Sequence, residues 1–140
     1  MKNENEGVYY KTEFVIREKV LDLDCYIRAH IVNAIPAVNR DIRIHILDEL
    51  YNIVKNLHYA IYTKGNVRIK YLTDVIVNIS LLDYLFTIVS KYKNINELKL
   101  REAIKKLLDV RNMIKKWKTT EEAKKNEKKY LPCSNNYWKY

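Results

Sequence analysis

Apolar residues recur every three or four positions along most of this chain, which is the spacing of one face of an α-helix. The pattern predicts four helices, at residues 12–35, 37–62, 67–91 and 96–118. The expected core positions of the first two are Ile16, Val20, Leu23, Ile27, Ile31, Ala34, Ile42, Ile46, Leu50, Ile53, Leu57 and Ile61. Those of the last two are Ile69, Leu72, Ile76, Ile79, Leu82, Phe86, Val89, Leu100, Ile104, Leu107, either Val110 or Arg111, Ile114 and Trp117.

Three residues mark where the predicted helices end or begin. Pro36 ends the first, because proline disfavours the helical region for the residue before it. Gly65 suits a left-handed position after the second helix, and Asn96 suits the N-cap of the fourth. Long helices with short connections predict an all-α, antiparallel up-down-up-down four-helix bundle.

The bundle is expected to occupy residues 12–120. Residues 1–11 are predicted to form a flexible lead, and residues 121–140 a basic, aromatic tail. For the first part of that tail, either a helical extension into solvent or disorder is consistent with the sequence. The chain has only 2 Gly and 2 Pro in 140 residues, which argues against all-β folds and glycine-rich phosphate loops.

Composition also bears on location. The apolar stretch at residues 75–89 is interrupted by Asn78 and Asp83 and is judged too short to span a bilayer. The first residues lack the apolar region of a signal peptide. We therefore expect a soluble, cytoplasmic protein with no membrane partner.

No pattern in the sequence predicts catalysis, a metal site or a cofactor. The three histidines (His30, His45 and His58) lack the spacing of metal ligands, and the serines lack a nucleophile elbow. Cys25 and Cys133 are far apart and are interpreted as reduced thiols, with Cys25 near the core. A non-enzymatic protein is predicted.

Positive charge is concentrated near the carboxyl end. The formal net charge is +9, and residues 99–129 contain twelve Lys/Arg against five Asp/Glu. A basic face of this kind neutralises phosphates with little sequence preference. The predicted RNA-binding residues are Arg40, Arg43, Arg101, Lys105, Lys106, Arg111, Lys115, Lys116 and Lys118.

Other residues could enlarge this surface. Arg68 and Lys70 are predicted to extend the basic patch, and the tyrosines with Trp117 and Trp138 offer stacking surfaces for unpaired bases. A solvated lysine face that only keeps the protein soluble is the alternative, and an acidic membrane surface is a weaker one. The 12 tyrosines, together with Ile44 off the main stripe, are also typical of subunit contacts.

Three segments together resemble a known family. The first is the junction Ile35–Arg40, read as an apolar residue, proline, three residues and arginine. The second is the helix 42–62 with its Lys-Gly-Asn turn, and the third is Leu107–Trp117, an apolar pair followed by a polar spacer and a tryptophan. The chain resembles the accessory variability determinant (Avd) proteins of diversity-generating retroelements, which are similar to the four-helix proteins of bacterial ribosomal intervening sequences. Isoleucine stands here where the family often has an aromatic residue before the proline, and Lys115 and Lys116 replace two glycines.

The resemblance implies a homo-oligomeric barrel of bundles, typically a pentamer. It implies binding to the retroelement reverse transcriptase and to structured template RNA, and possible binding to DNA, in support of mutagenic cDNA synthesis. The polymerase would supply the activity, so no catalytic residue is expected in this chain. The alternatives are a ribosome-associated protein of the intervening-sequence type and a purely structural interaction bundle.

Overall fold

A computed structural model describes residues 4–130 of the chain, and the side chains of residues 12–124. Its four long helices are α1 (Glu4–His30), α2 (Arg40–Ile61), α3 (Gly65–Val89) and α4 (Glu97–Tyr130). Within the described residues there is no strand. The prediction of an all-α, four-helix fold is thereby confirmed.

Both predicted boundaries of the first helix were wrong, because α1 begins at Glu4 instead of residue 12 and ends at His30 instead of residue 35. α4 continues past residue 118 to Tyr130, which is the helical extension that the sequence left open as one alternative. The connection between α1 and α2 contains two short 3-10 turns, Val32–Ala34 before Pro36 and Ala37–Asn39 after it. The predictions for residues 131–140, including Cys133 and Trp138, lie outside the described residues.

Each helix packs against two others. α1 contacts α2 and α4, and α3 contacts α2 and α4. Helix pairs α1/α3 and α2/α4 lie diagonally across the bundle, with no Cα atoms within 8 Å of each other in the described part of the chain. The four helices therefore enclose one core, in which Leu23, Leu57, Leu82 and Leu107 are fully buried.

Most predicted core residues are buried, including five of the seven in α3, whereas Ala34, Ile42 and Ile61 of the first two stripes are only partly buried. Ile69 and Ile76, expected in the core, are only partly buried, and their neighbours Arg68 and Val75 are buried instead. In α4 the sequence left the choice between Val110 and Arg111 open, and the structure buries Val110 in the core. Ile104, also expected in the core, is half-buried.

The start of α4 confirms the predicted N-cap. The Asn96 side-chain oxygen accepts hydrogen bonds from the backbone N–H groups of Leu98 and Lys99, at 2.9 and 3.1 Å. These are two of the donors that lack a partner in the first turn of a helix. The Asn96 cap therefore determines the residue at which α4 begins.

α3 is unusually apolar. It is 25 residues long, with a mean hydropathy of 1.7 over an 18-residue window of which 33% is buried. Its length and composition would suffice to cross a membrane. The expectation that the apolar stretch at residues 75–89 is too short to span a bilayer therefore does not apply to the whole helix. A core helix of a soluble protein has the same properties, and Leu72, Ile79 and Phe86 of α3 lie in the core.

Candidate nucleic-acid interface and the charged end of the bundle

α4 presents one predominantly basic face to solvent. Between residues 101 and 116 its exposed side chains, called here the outer face of α4, are Arg101, Lys105, Asp109, Asn112, Lys115 and Lys116. The opposite side of the same stretch is apolar and buried, which positions these cations on a fixed scaffold. None of the four cations forms an ion pair among the residues whose side chains are described.

Two other predicted contacts on α4 are already paired. Lys106 Nζ lies 2.8 Å from Asp22 Oδ2 on α1 and 5.2 Å from the centroid of the Tyr26 ring. The hydrogen bond to Asp22 raises the pKa of Lys106, so the lysine is charged but neutralised by α1. Lys118 pairs with Glu122 at 3.2 Å. Both lysines are half-buried, and the structure places them on the flanks of the outer face.

The predicted arginines of α2 lie apart from this face. Arg40 is exposed at the first residue of α2. Arg43 is half-buried, and its Nε donates a hydrogen bond to the Val32 carbonyl at 3.1 Å, so it fastens the connection to α1. α2 lies diagonally across the bundle from α4, so these two arginines are not part of the outer face of α4.

Arg111 occupies an intermediate position. It is half-buried on α4, and its Nε atom is buried with no hydrogen-bond partner among the described residues. The structure therefore places it beside the core rather than on the outer face.

Arg68 contacts all four helices, which the sequence did not indicate. Its Nη2 donates to Glu13 Oε2 of α1 at 2.9 Å, and its Nη1 donates to Glu121 Oε1 of α4 at 3.2 Å. Its Nε and Nη2 donate to the carbonyls of Ala60 and Ile61 at the end of α2, at 2.8 and 3.1 Å. The predicted role of Arg68 in a surface patch is wrong, because only 8% of the residue is exposed. Arg68, Glu13 and Glu121 are called the Arg68 cluster below.

The Arg68 cluster also supplies hydrogen-bond partners to backbone groups at the end of α2 and the start of α3. The last carbonyls of a helix lack partners within it, and Arg68 supplies donors to two of them in α2. Glu121 Oε2 accepts the N–H of Gly65, the first residue of α3, at 2.8 Å. Gly65 has a φ of 64°, the left-handed conformation expected for it. The α2–α3 turn is thus held by side chains from α3 and α4.

Trp117 packs inside this end of the bundle. It is 6% exposed, and the guanidinium carbon of Arg68 lies 5.0 Å from its ring centroid. This distance is that of a cation–π contact. The prediction of Trp117 as an open stacking surface for bases is therefore wrong.

The ionisation of Glu121 makes the stability contributed by the Arg68 cluster depend on pH. Burial alone would raise the pKa of Glu121, but the hydrogen bond from Gly65 and the charge and hydrogen bond of Arg68 outweigh it, so the pKa is lowered. A lowered pKa in the folded state contributes stability that is present above the unfolded-state pKa and lost as pH falls through the folded-state value.

We expect Glu121→Gln to lower the free energy of unfolding at neutral pH, and this difference from the native protein to shrink as pH falls below 4.5, the ordinary glutamate value. Urea unfolding of both proteins across this pH range measures it. Glu18→Gln, at a half-exposed surface carboxylate, is the control and should give a small difference at neutral pH. A Glu121→Gln difference that grew on acidification would contradict the assignment.

Large apolar side chains are exposed on α2 and α3. Tyr51 on α2, Tyr62 directly after α2, and Val77, Leu81 and Tyr84 on α3 are each between 46% and 83% exposed. Exposed apolar patches on a soluble protein commonly mark contact surfaces. Three of these five residues are tyrosines, the residue type predicted from the sequence for subunit contacts.

Two further predictions concern reactive groups. Cys25 lies in α1 as expected but is exposed, so its predicted place near the core is wrong. Among the described residues, no group of three or more His, Cys, Asp or Glu side chains is arranged to hold a metal ion.

Comparisons of the chain with models of protein families, with curated proteins and with solved structures found no match. The similarity to Avd proteins therefore stays a prediction, and the function is inferred from the chain's own residues.

Proposed function

We propose that this protein is a non-catalytic, RNA-binding accessory subunit of the Avd type, which binds a reverse transcriptase and its structured template RNA. The observation that carries the proposal is the outer face of α4. Four cations there are exposed and unpaired within the described residues, against one exposed carboxylate, Asp109.

The geometry of this face suits a polyanion. At about 1.5 Å per residue, the helix places Arg101 and Lys116 about 22 Å apart along its axis, a length that spans several phosphates. The cations are spread along one helix side instead of gathered around a pocket, which favours contact with a backbone over recognition of a base. Binding would therefore depend strongly on salt and weakly on sequence.

We further propose the antiparallel up-down-up-down order for the four helices. Early and late residues of α1 and α4 pair in opposite order, since Glu13 shares Arg68 with Glu121 while Asp22 pairs with Lys106. In α2 and α3, Asn78 donates to Glu49, and Arg68 donates to the end of α2. Both sets of contacts support neighbours that run in opposite directions.

A homo-oligomer, a pentamer by resemblance, is part of the proposal. Its support is the apolar outer side of α3, where Val77, Leu81 and Tyr84 are about half exposed or more. This side has no residue in common with the outer face of α4, and in the proposal a second copy covers α3 while RNA contacts α4. A protein that formed such oligomers without binding RNA would match the alternative of a purely structural interaction bundle.

The proposal is tested by neutralising the outer face of α4. Replacing Arg101, Lys105, Lys115 and Lys116 with glutamine should weaken RNA binding and reduce the slope of log K against log salt by about 3 to 4, one counterion-release contribution per cation. Fluorescence anisotropy with a labelled structured RNA at several salt concentrations measures both quantities. Circular dichroism checks that the variant is folded.

A matched control removes the same charge elsewhere. Lys19, Lys55, Lys91 and Lys93 are exposed residues outside α4, and their replacement with glutamine should leave most of the affinity. Equal losses in the two variants would show that net charge, not the outer face of α4, attracts the RNA. Binding that persisted at high salt would contradict the proposal, and oligomers in light scattering without RNA affinity would favour the structural alternative.

A further inference from the structure

A cavity of about 880 Å³ opens beside the Arg68 cluster. It lies between α1 at Thr12–Ile16, the α2–α3 turn, and α4 at Met113–Lys124. It shares only Lys116 with the outer face of α4. Its volume falls in the range of about 300–1,000 Å³ that is common for small-molecule sites.

The cavity offers both an apolar surface and neutral polar groups. The half-buried side chains of Val15 and Met113 contribute the accessible apolar part, and the buried Ile16 and Trp117 lie behind them. The side chains of Asn66 and Thr120 are exposed where they line the cavity and can donate or accept hydrogen bonds. A ligand with a flat, partly apolar body and polar edges matches these walls.

The buried charges beside the cavity are engaged with each other. Arg68 donates to Glu13, to Glu121 and to two backbone carbonyls, so four of its five N–H donors are occupied. Both carboxylates accept from the same arginine. The Arg68 cluster therefore forms a fixed wall, and attraction for a ligand has to come from other residues.

Three lysines supply that attraction. Lys64, Lys116 and Lys124 are exposed around the cavity. Lys124 Nζ lies 3.9 Å from Glu121 Oε1, at the outer limit of an ion pair, and the other two form no ion pair with described residues. With Arg68, four cations face two carboxylates in the lining, so the cavity is net positive and favours an anion.

We infer that this cavity binds a nucleotide, with the base against Val15 and Met113 and the phosphate at the lysines. The combination of an apolar wall, neutral hydrogen-bonding groups and a cationic edge matches a base joined to a phosphate. An acidic peptide would satisfy the lysines but would leave the apolar wall without a flat partner. The nucleotide is either a free mononucleotide or the phosphorylated end of an RNA strand, since both present the same chemistry.

Tryptophan fluorescence tests the inference directly. In a Trp138→Phe background, Trp117 is the remaining one of the 2 tryptophans and lines the cavity. Titration with AMP, UMP and a 5′-phosphorylated oligonucleotide should give a saturable change in its fluorescence. Lys64→Gln with Lys124→Gln should raise the dissociation constant at least about tenfold, the effect of losing one charge-assisted hydrogen bond. Lys91→Gln with Lys93→Gln is the matched control and should bind as tightly as the background protein.

The arms of the experiment separate the outcomes. Saturation by the mononucleotides alone assigns a free nucleotide, and saturation by the oligonucleotide alone assigns an RNA end; both support the site. The inference is overturned if no probe gives a saturable change, if the Lys64/Lys124 variant binds as tightly as the background, or if a polyglutamate peptide binds as well as AMP. Because Lys64 and Lys124 lie outside the outer face of α4, this result is independent of the RNA-binding test above.

Discussion

Replacing Arg68 with glutamine is expected to lower the free energy of unfolding by about 3–5 kcal/mol, the usual cost of removing one partner from a buried ion pair. Glu121 and Glu13 would lose their shared cation, and Glu121 is 5% exposed. The carbonyl of Ile61 would also lose its donor, whereas the carbonyl of Ala60 would keep its longer hydrogen bonds from Thr63. The change therefore combines an uncompensated charge with an unsatisfied backbone carbonyl, which are both costly in a buried setting.

Urea unfolding measures this effect against a matched surface change. Arg101→Gln removes the same side chain from an exposed position of α4, and its free energy of unfolding should stay within about 0.5 kcal/mol of the native value. Adding Glu13→Gln and Glu121→Gln to Arg68→Gln should recover part of the loss, because no buried charge is then left unpaired. Equal stability of the Arg68 and Arg101 variants would disprove the role assigned to Arg68.

Leu107→Ala is expected to cost about 2–5 kcal/mol, the range for removing a large buried aliphatic side chain. Leu107 lies at the centre of α4 and is 0% exposed. Leu98→Ala is the matched control on the same helix, at a residue that is 72% exposed, and it should have little effect.

The comparison of these two leucines tests whether α4 belongs to the bundle. Denaturant unfolding followed by circular dichroism gives both free energies. If Leu107→Ala were as mild as Leu98→Ala, α4 would be a detachable basic arm and its outer face would not be held in a fixed geometry. A large difference would confirm that the cations are presented by a packed helix.

The sequence was sufficient for the helices whose two sides differ clearly. In α1, Ile16, Leu23 and Ile27 stand among charged and polar neighbours, so the buried side was evident from spacing alone. The exposed cations of α4 were predicted for the same reason. Helix ends were less predictable, because α1 and α4 continue beyond the apolar stripes that defined them.

α3 shows why the rest could not be predicted. It is apolar around most of its circumference, so two neighbouring stripes satisfied the same spacing in its first half. Ile69 and Ile76 were wrongly placed in the core, whereas the other predicted core residues of α3 are buried. The buried stripe instead includes Arg68, a residue type that is rarely buried unless paired. Its partners Glu13 and Glu121 lie 55 and 53 positions away in the chain, beyond the reach of any local pattern.

These same separations bear on the order of folding. The contacts of Arg68 with the end of α2 span only 7 and 8 positions, so α2 and α3 can form a hairpin early, at a small cost in loop entropy. Glu13 of α1 and Glu121 of α4 can pair with Arg68 only after parts of the chain that are distant in sequence have come together. We therefore expect the charged end of the protein to close after the folding transition state, so that loss of Arg68 accelerates unfolding more than it slows folding.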